Sequence, residues 1–347
     1  MNLADRIKNH AHISAALASF SDAGLSELLN TAKPLHSGIG GTSALLTIDD
    51  TRVFVKKIPL TDIERQPKNF MSTANIFDLP LFCQYRVGSP GFGAWRDLVA
   101  HVMTTEWVLA GECPNFPITY HWRVLPTSNS EPMISEELED VTATVKFWDG
   151  SEAVRNRREG IQNASAHIVL FLEYVPETLL QWLGNQLKAG GAAAERALSF
   201  VEENLKVTED FMNARGFVHF DTHFENIVTD GGTLYLCDFG LALASKFDLT
   251  EAEIAFLRFH RTYDRCVSIV SLLHCLITSS FGKDEWPRFR HYINVDHQEL
   301  APALSARIKR YGPIAVVMSD FYRDLQKETK LRQFPAIELQ RLLAALD

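Results

Sequence analysis

The chain has 347 residues, 46% of them apolar and 22% charged, with a formal net charge of −9. This is the make-up of a globular protein with one large domain or two lobes, long enough to bury a sizeable core. The acidic balance disfavours a general nucleic-acid binder, which needs a basic surface for its phosphate contacts.

Five cysteines, at positions 83, 113, 237, 266 and 275, form no CxxC pair. Their odd number and spacing disfavour a disulfide framework or a zinc site and fit a reducing compartment. The opening MNLADRIKNHAHISAALASF lacks the apolar core of a signal peptide, and the late run VSIVSLLHCLI is too short to span a bilayer. A cytoplasmic location is expected, with neither membrane nor nucleic acid as a partner.

Residues 1–34 read as an N-terminal extension with one or two short amphipathic helices. ALLTI (44–48) and VFVKKI (53–58) are β-branched and aromatic runs separated by a DDT turn, so they predict a hairpin ended by Pro59. The stretch 60–94 carries Pro67, Pro80 and Pro90 and reads as a loop-like insertion. Trp95 to Ala110 has helical spacing, with Gly111 placed to stop it. FPITYHWRVL (116–125) reads as a strand, residues 126–165 as a polar insertion carrying a helix, and HIVLFLEYV (167–175) as a buried strand. From Pro176 helical patterns dominate, at 177–188, 192–215 and 251–279. The expected class is therefore α+β: a small strand-rich N-lobe (35–173) with insertions near 60–94 and 126–165, and a larger helical C-lobe (174–347).

One stretch breaks the helical pattern. GFVHFDTHFENIVTDGGTLYLCDFGLA (216–242) sets four carboxylic acids and two histidines among apolar residues. Buried charge is costly unless paired or bound to a metal. The runs IV and LYLC around TDGG predict a small hairpin that would bring Asp221, Asn226 and Asp238 to a shared cleft. Two carboxylates and a carboxamide offer the oxygen ligands that Mg²⁺ prefers, plus one spare base.

These residues resemble the protein-kinase-like superfamily. HFDTHFEN is similar to its His-x-Asp-x-x-x-x-Asn catalytic loop and CDFG to its Asp-Phe-Gly metal motif. SGIGGTS (37–43) resembles the glycine-rich loop, VFVKKI the strand bearing the phosphate lysine, and LEYV (172–175) the segment joining the lobes. The resemblance covers about residues 35 to 280. The catalytic loop and the Asp-Phe-Gly together are the specific signal; each of the other matches is weak alone.

The resemblance implies ATP and Mg²⁺ as ligands and a role for each residue. Asp221 would be the base for an attacking hydroxyl, and Asn226 and Asp238 would hold Mg²⁺. Lys56 would pair with the α/β-phosphates, with Lys57 as the alternative one residue away. Glu106 would be the helix carboxylate that pairs with the lysine, with Asp97 as the alternative. Gly38, Gly40 and Gly41 would let backbone N–H groups reach phosphate oxygens. Glu173 and Val175 would meet adenine through their backbone, leaving their side chains idle. His219 would support the loop and Asp264 the central helix. Each has a plainer role beside it: a turn residue for the acids, a strand-edge charge for the lysine, a packed ring for the histidines.

His223 stands two positions after the base, where protein kinases acting on Ser/Thr carry lysine; histidine there is similar to aminoglycoside and choline phosphotransferases. No Ala-Pro-Glu follows the Asp-Phe-Gly, which argues against a long, phosphorylated activation segment. The Asp-Phe-Gly glycine and the EYV run favour a protein or peptide Ser/Thr acceptor by a small margin over a small molecule. The expected activity is an ATP-dependent kinase. The rival from another class is a nucleotide-binding scaffold with a docking face at RNRRE (155–159), a run whose commoner reading is a solvated helix face.

Overall fold

The computed structural model describes residues 2–38, 41–127, 140–295 and 300–346. Two helices open the chain, α1 (Leu3–Ala18) and α2 (Asp22–Asn30), each with a side-chain N-cap, Asn2 and Ser21. Three strands follow: β1 (Lys33–Gly38), β2 (Gly41–Ile48) and β3 (Thr51–Leu60). Then come α3 (Ala94–Leu109), β4 (Thr119–Pro126), α4 (Val141–Phe147), α5 (Glu152–Gln162) and β5 (Ala166–Glu173). The five strands form one antiparallel sheet in the order β1-β2-β3-β5-β4.

Alternation along β3 decides what the sheet presents. Successive side chains point to opposite faces, so Lys56, Ile58 and Leu60 share one face. Ile58 and Leu60 pack there with Ile168, Leu170 and Leu172 of β5 and with Ala94, Trp95 and Leu98 of α3. Leu98 and Ile168 are wholly buried, and truncating such a side chain to alanine typically costs about 2–5 kcal/mol.

The stretch 60–94 holds only two short 3₁₀ turns, Pro67–Asn69 and Leu81–Gln84, yet it is packed. Phe77, Leu79, Cys83 and Phe92 close on Trp148 and on Val154 of α5. The second insertion carries two helices among its described residues, where the sequence suggests one; residues 128–139 lie outside the description. The two insertions thus bury each other.

The chain continues through β6 (Glu177–Thr178), α6 (Leu179–Ala189), α7 (Gly191–Ala214), β7 (Phe217–Val218), β8 (Ile227–Thr229), β9 (Leu234–Leu236) and β10 (Leu243–Ala244). It ends with α8 (Glu251–Phe259), α9 (Tyr263–Phe281), α10 (Phe289–Tyr292), α11 (Pro302–Lys327) and α12 (Ala336–Ala344). The expected hairpin is present as β8 and β9, in antiparallel register with Ile227 opposite Leu236. The single helix expected over 251–279 is instead two, broken at 260–262. His260 turns the chain there: its Nδ1 meets the Phe256 carbonyl oxygen at 2.7 Å and its ring stacks on Phe256 and Phe334. The fold is α+β, with a strand-rich N-terminal sheet and a larger helical C-terminal part.

Two compact units divide the chain: Met1–Val175 with Asp238–Glu253, and Pro176–Cys237 with Ile254–Asp347. The N-terminal helices fall within the first unit. Among the described residues no single helix is long and apolar enough to cross a membrane.

Candidate functional site

In the first unit, Lys56 is the centre of a buried charged group. Its Nζ donates to Asp97 Oδ2 at 2.7 Å and to Asp238 Oδ1 at 2.9 Å. Lys56 lies on the sheet face that receives α3, and Asp97 stands in the first turn of that helix. Burial works against the lysine charge, but attraction from Asp238 and Asp97 outweighs it and raises the Lys56 pKa above the ordinary range. Burial pushes Asp97 in the upward direction, opposed by Lys56. Only Asp238 is substantially open, its side chain 44% exposed against 4% for Asp97. His101, one turn beyond Asp97, places Nε2 3.4 Å from Asp97 Oδ1 and sets its ring edge-on to Phe239.

The helix carboxylate expected at Glu106 is therefore Asp97. The two are nine residues apart, two and a half turns, which puts them on opposite faces of α3. Glu106 is exposed, in line with the less buried Val99 and Val102, while Asp97 is buried on the same side as His101 one turn on. Lys57 points away from Lys56 and is only partly buried.

The second unit holds the other group. Asn226 Nδ2 donates to the Asp221 carbonyl at 3.2 Å and to its Oδ2 at 3.0 Å. His223 Nε2 lies 3.6 Å from Asp221 Oδ1. The preceding residue, Phe220, has φ +65, an uncommon conformation for a bulky side chain. Asp264, buried at the start of α9, holds that turn: its two oxygens accept the His219 N–H at 2.7 Å and the Phe220 N–H at 2.8 Å. Burial, with the charges of Glu209 and Asp221 nearby, pushes the Asp264 carboxyl up to about 7 against the pull of those N–H donors. His219 itself is wholly buried, its Nε2 3.1 Å from the Cys237 carbonyl oxygen.

The remaining expected residues fall variously. Gly38 and Gly41 face each other across the β1–β2 turn; Gly40 lies outside the described residues. At Gly41, φ is +120 and a Cβ would come within 2.0 Å of the Lys57 carbonyl oxygen, so strand approach alone requires glycine there. Val175 is partly buried at the end of the first unit's main segment. The Glu173 side chain is not idle. Its carboxylate takes Arg6 Nε at 2.8 Å and Nη2 at 2.7 Å, and the Ile118 N–H at 3.1 Å. RNRRE is divided: Asn156 and Glu159 are exposed, while Arg157 and Arg158 are buried, and Arg157 pairs with Glu64 at 2.8 Å. Sequence reasoning missed Arg6, Glu64 and Arg157; the only signal for the last was an arginine at the helical spacing of Val154 and Ile161.

The residues fit a hard cation in one respect. Asn226 commits its amide nitrogen to Asp221, while its Oδ1 accepts no hydrogen bond among the described residues. Asp238 offers a carboxylate open to solvent. Among the described residues no three His, Cys, Asp or Glu side chains cluster as a metal site. Compared with known proteins, the chain matches no family model and no curated protein.

Proposed function

We propose that the chain is a Mg²⁺- and ATP-dependent phosphotransferase of the protein-kinase-like kind, moving the γ-phosphoryl group of ATP to a hydroxyl. The observation that carries this reading is Lys56, a buried lysine kept charged between Asp97 and the Asp238 of an Asp-Phe-Gly. A lysine so held is a fixed positive point for phosphate oxygens. Asp238 and Asn226 would hold Mg²⁺, which when bound neutralises phosphate charge. Asp221 accepts the proton of the acceptor hydroxyl as that oxygen bonds the γ-phosphorus and the bond to the bridging oxygen breaks, with ADP leaving. Asn226 orients its carboxylate, and Asp264 fixes the turn that presents it.

The acceptor favoured is a peptide or protein Ser/Thr hydroxyl. A small-molecule acceptor is the second reading, supported by His223 at 3.6 Å from Asp221. Incubating the protein with labelled ATP and Mg²⁺, then following label by mass spectrometry on the protein and in a cell extract, tests both. Phosphate is expected on a hydroxyl, with weaker ATP binding by calorimetry when Mg²⁺ is withheld or in Asp238→Ala. Mg²⁺-dependent binding with no transfer to any acceptor would make the chain a nucleotide-binding scaffold instead.

A further inference from the structure

The Lys56 pair depends on where the first turn of α3 sits, and that turn has an outside support. The N-cap position is Gly93, which has no side chain to cap the helix. Instead Glu64, thirty residues earlier, accepts the Ala94 N–H on Oε1 at 2.7 Å. Its other oxygen, Oε2, takes the Thr61 N–H, the Thr61 hydroxyl and Arg157 Nη1 at 3.1, 2.8 and 2.8 Å. The Glu64 carbonyl accepts Trp95 Nε1 at 2.9 Å. Glu64 and Arg157 are both nearly inaccessible, at 0% and 4%. A carboxylate at a helix N-terminus is favoured by the helix dipole, and buried it needs a cation; Arg157 of α5 is that cation. Arg157 is fixed in turn by the Gly91 carbonyl and by the Phe77 ring beneath its guanidinium.

We infer that Glu64 and Arg157 are positioning residues that hold Asp97 against Lys56. The two insertions meet at this ion pair, and the pair ends on the backbone of α3 three residues before Asp97. They touch neither Lys56 nor Asp238. The importance of that placement for phosphate transfer rests on the phosphotransferase reading; the placement itself does not.

The test reads Lys56 directly. The full-length protein, without nucleotide, is treated with an amine-acylating reagent and the rate at each lysine is followed by mass spectrometry. Lys330, buried in the second unit and donating to the Leu325 carbonyl, reports general loosening. In Arg157→Ala and in Glu64→Gln, acylation of Lys56 is expected to rise at least about tenfold over wild type, because a buried charge loses its partner and the helix opens locally. Lys330 should label at its wild-type rate. Arg157→Lys should recover part of the protection, and Arg155→Ala, a partly exposed neighbour on the same helix that pairs, among the described residues, only with Glu152 and Glu159, should change nothing. Wild-type labelling of Lys56 in Arg157→Ala and Glu64→Gln, or a parallel rise at Lys330, overturns the inference. A protein that shows the coupling but never transfers phosphate refutes the phosphotransferase reading and leaves the coupling standing.

Discussion

The Lys56 group and the Asp221 group hold their charges by different means. Around Lys56, side chains hold one another: a lysine and two aspartates, 41 and 182 residues apart in sequence, balance charge in a place closed to water on two of three members. Around Asp221, the backbone is held and the side chain rides on it: Asp264 grips two N–H groups, and Asn226 steadies a carboxylate that is still 22% exposed. In the first group structure and chemistry are the same residues. In the second they are separable, and substitutions should divide them.

The largest expected effect is on Asp221. Asp221→Asn keeps size and most hydrogen bonding but removes the proposed base, so turnover should fall about 10²- to 10⁴-fold. ATP affinity and melting temperature should stay near wild type; a turn-capping role would cost at most about 1–2 kcal/mol of stability and spare turnover. Normal turnover in this variant would end the mechanism.

Lys56→Ala should behave in the opposite way. It leaves Asp97 buried beside Asp238 with no cation, and breaking a buried pair costs about 3–5 kcal/mol. Denaturant unfolding should show that loss together with lost transfer, while Lys57→Ala changes each little. Glu106→Ala should fall within about 0.5 kcal/mol of wild type, as exposed positions do. Equal stability of Lys56→Ala and wild type would erase the contrast between the groups.

A smaller effect sharpens the second group. The folded pKa of Asp264, about 7, lies above its ordinary 3.8, so between those values the folded state binds the extra proton. Stability contributed by this group is therefore full below about pH 4 and is lost as pH rises towards 7. His260, pushed down to about 4 by burial, gives the opposite slope between about pH 4 and 6.5. The difference between wild type and Asp264→Asn isolates the aspartate, and it should shrink steadily as pH climbs from 4 to 7. A difference independent of pH would show that Asp264 ionises as readily folded as unfolded.

How much of this could be read from the sequence follows the same division. The β2–β3 hairpin, the small β8–β9 hairpin and the helices after residue 176 were legible, because periodicity and turn residues are local signals. Lys56 stood before Lys57 in the sequence only through the resemblance of VFVKKI to the family's lysine strand; strand alternation set them on opposite faces without saying which face is the inner one. The Asp97 pairing was not read correctly: almost all of α3 is buried, so Val99 and Val102 gave no apolar gap to mark the outer face on which Glu106 lies. Glu64, Arg157 and Arg6 were illegible for another reason. Each meets a partner 93 or more residues away, and a charged residue that will be buried by distant chain looks in sequence like any surface charge. Residues 60–94 look like a loop because their order comes from packing on Trp148 and Val154, not from repeating hydrogen bonds.

The return of residues 238–253 to the first unit has a consequence for how the protein is made. Lys56 leaves the ribosome 182 residues ahead of Asp238. At a synthesis rate of about 5–20 residues per second, that is a wait of roughly 10–40 seconds. Through that interval the first unit carries its lysine with Asp97 as sole carboxylate partner, and Arg96, which ends up bonded to Glu253 at 2.6 Å, has no acid to meet. The N-terminal sheet can form early, but the group at its centre is finished only after the β8–β9 hairpin has been synthesised. A nascent chain stopped before residue 238 would thus carry Lys56 one carboxylate short and Arg96 with its acid still to come.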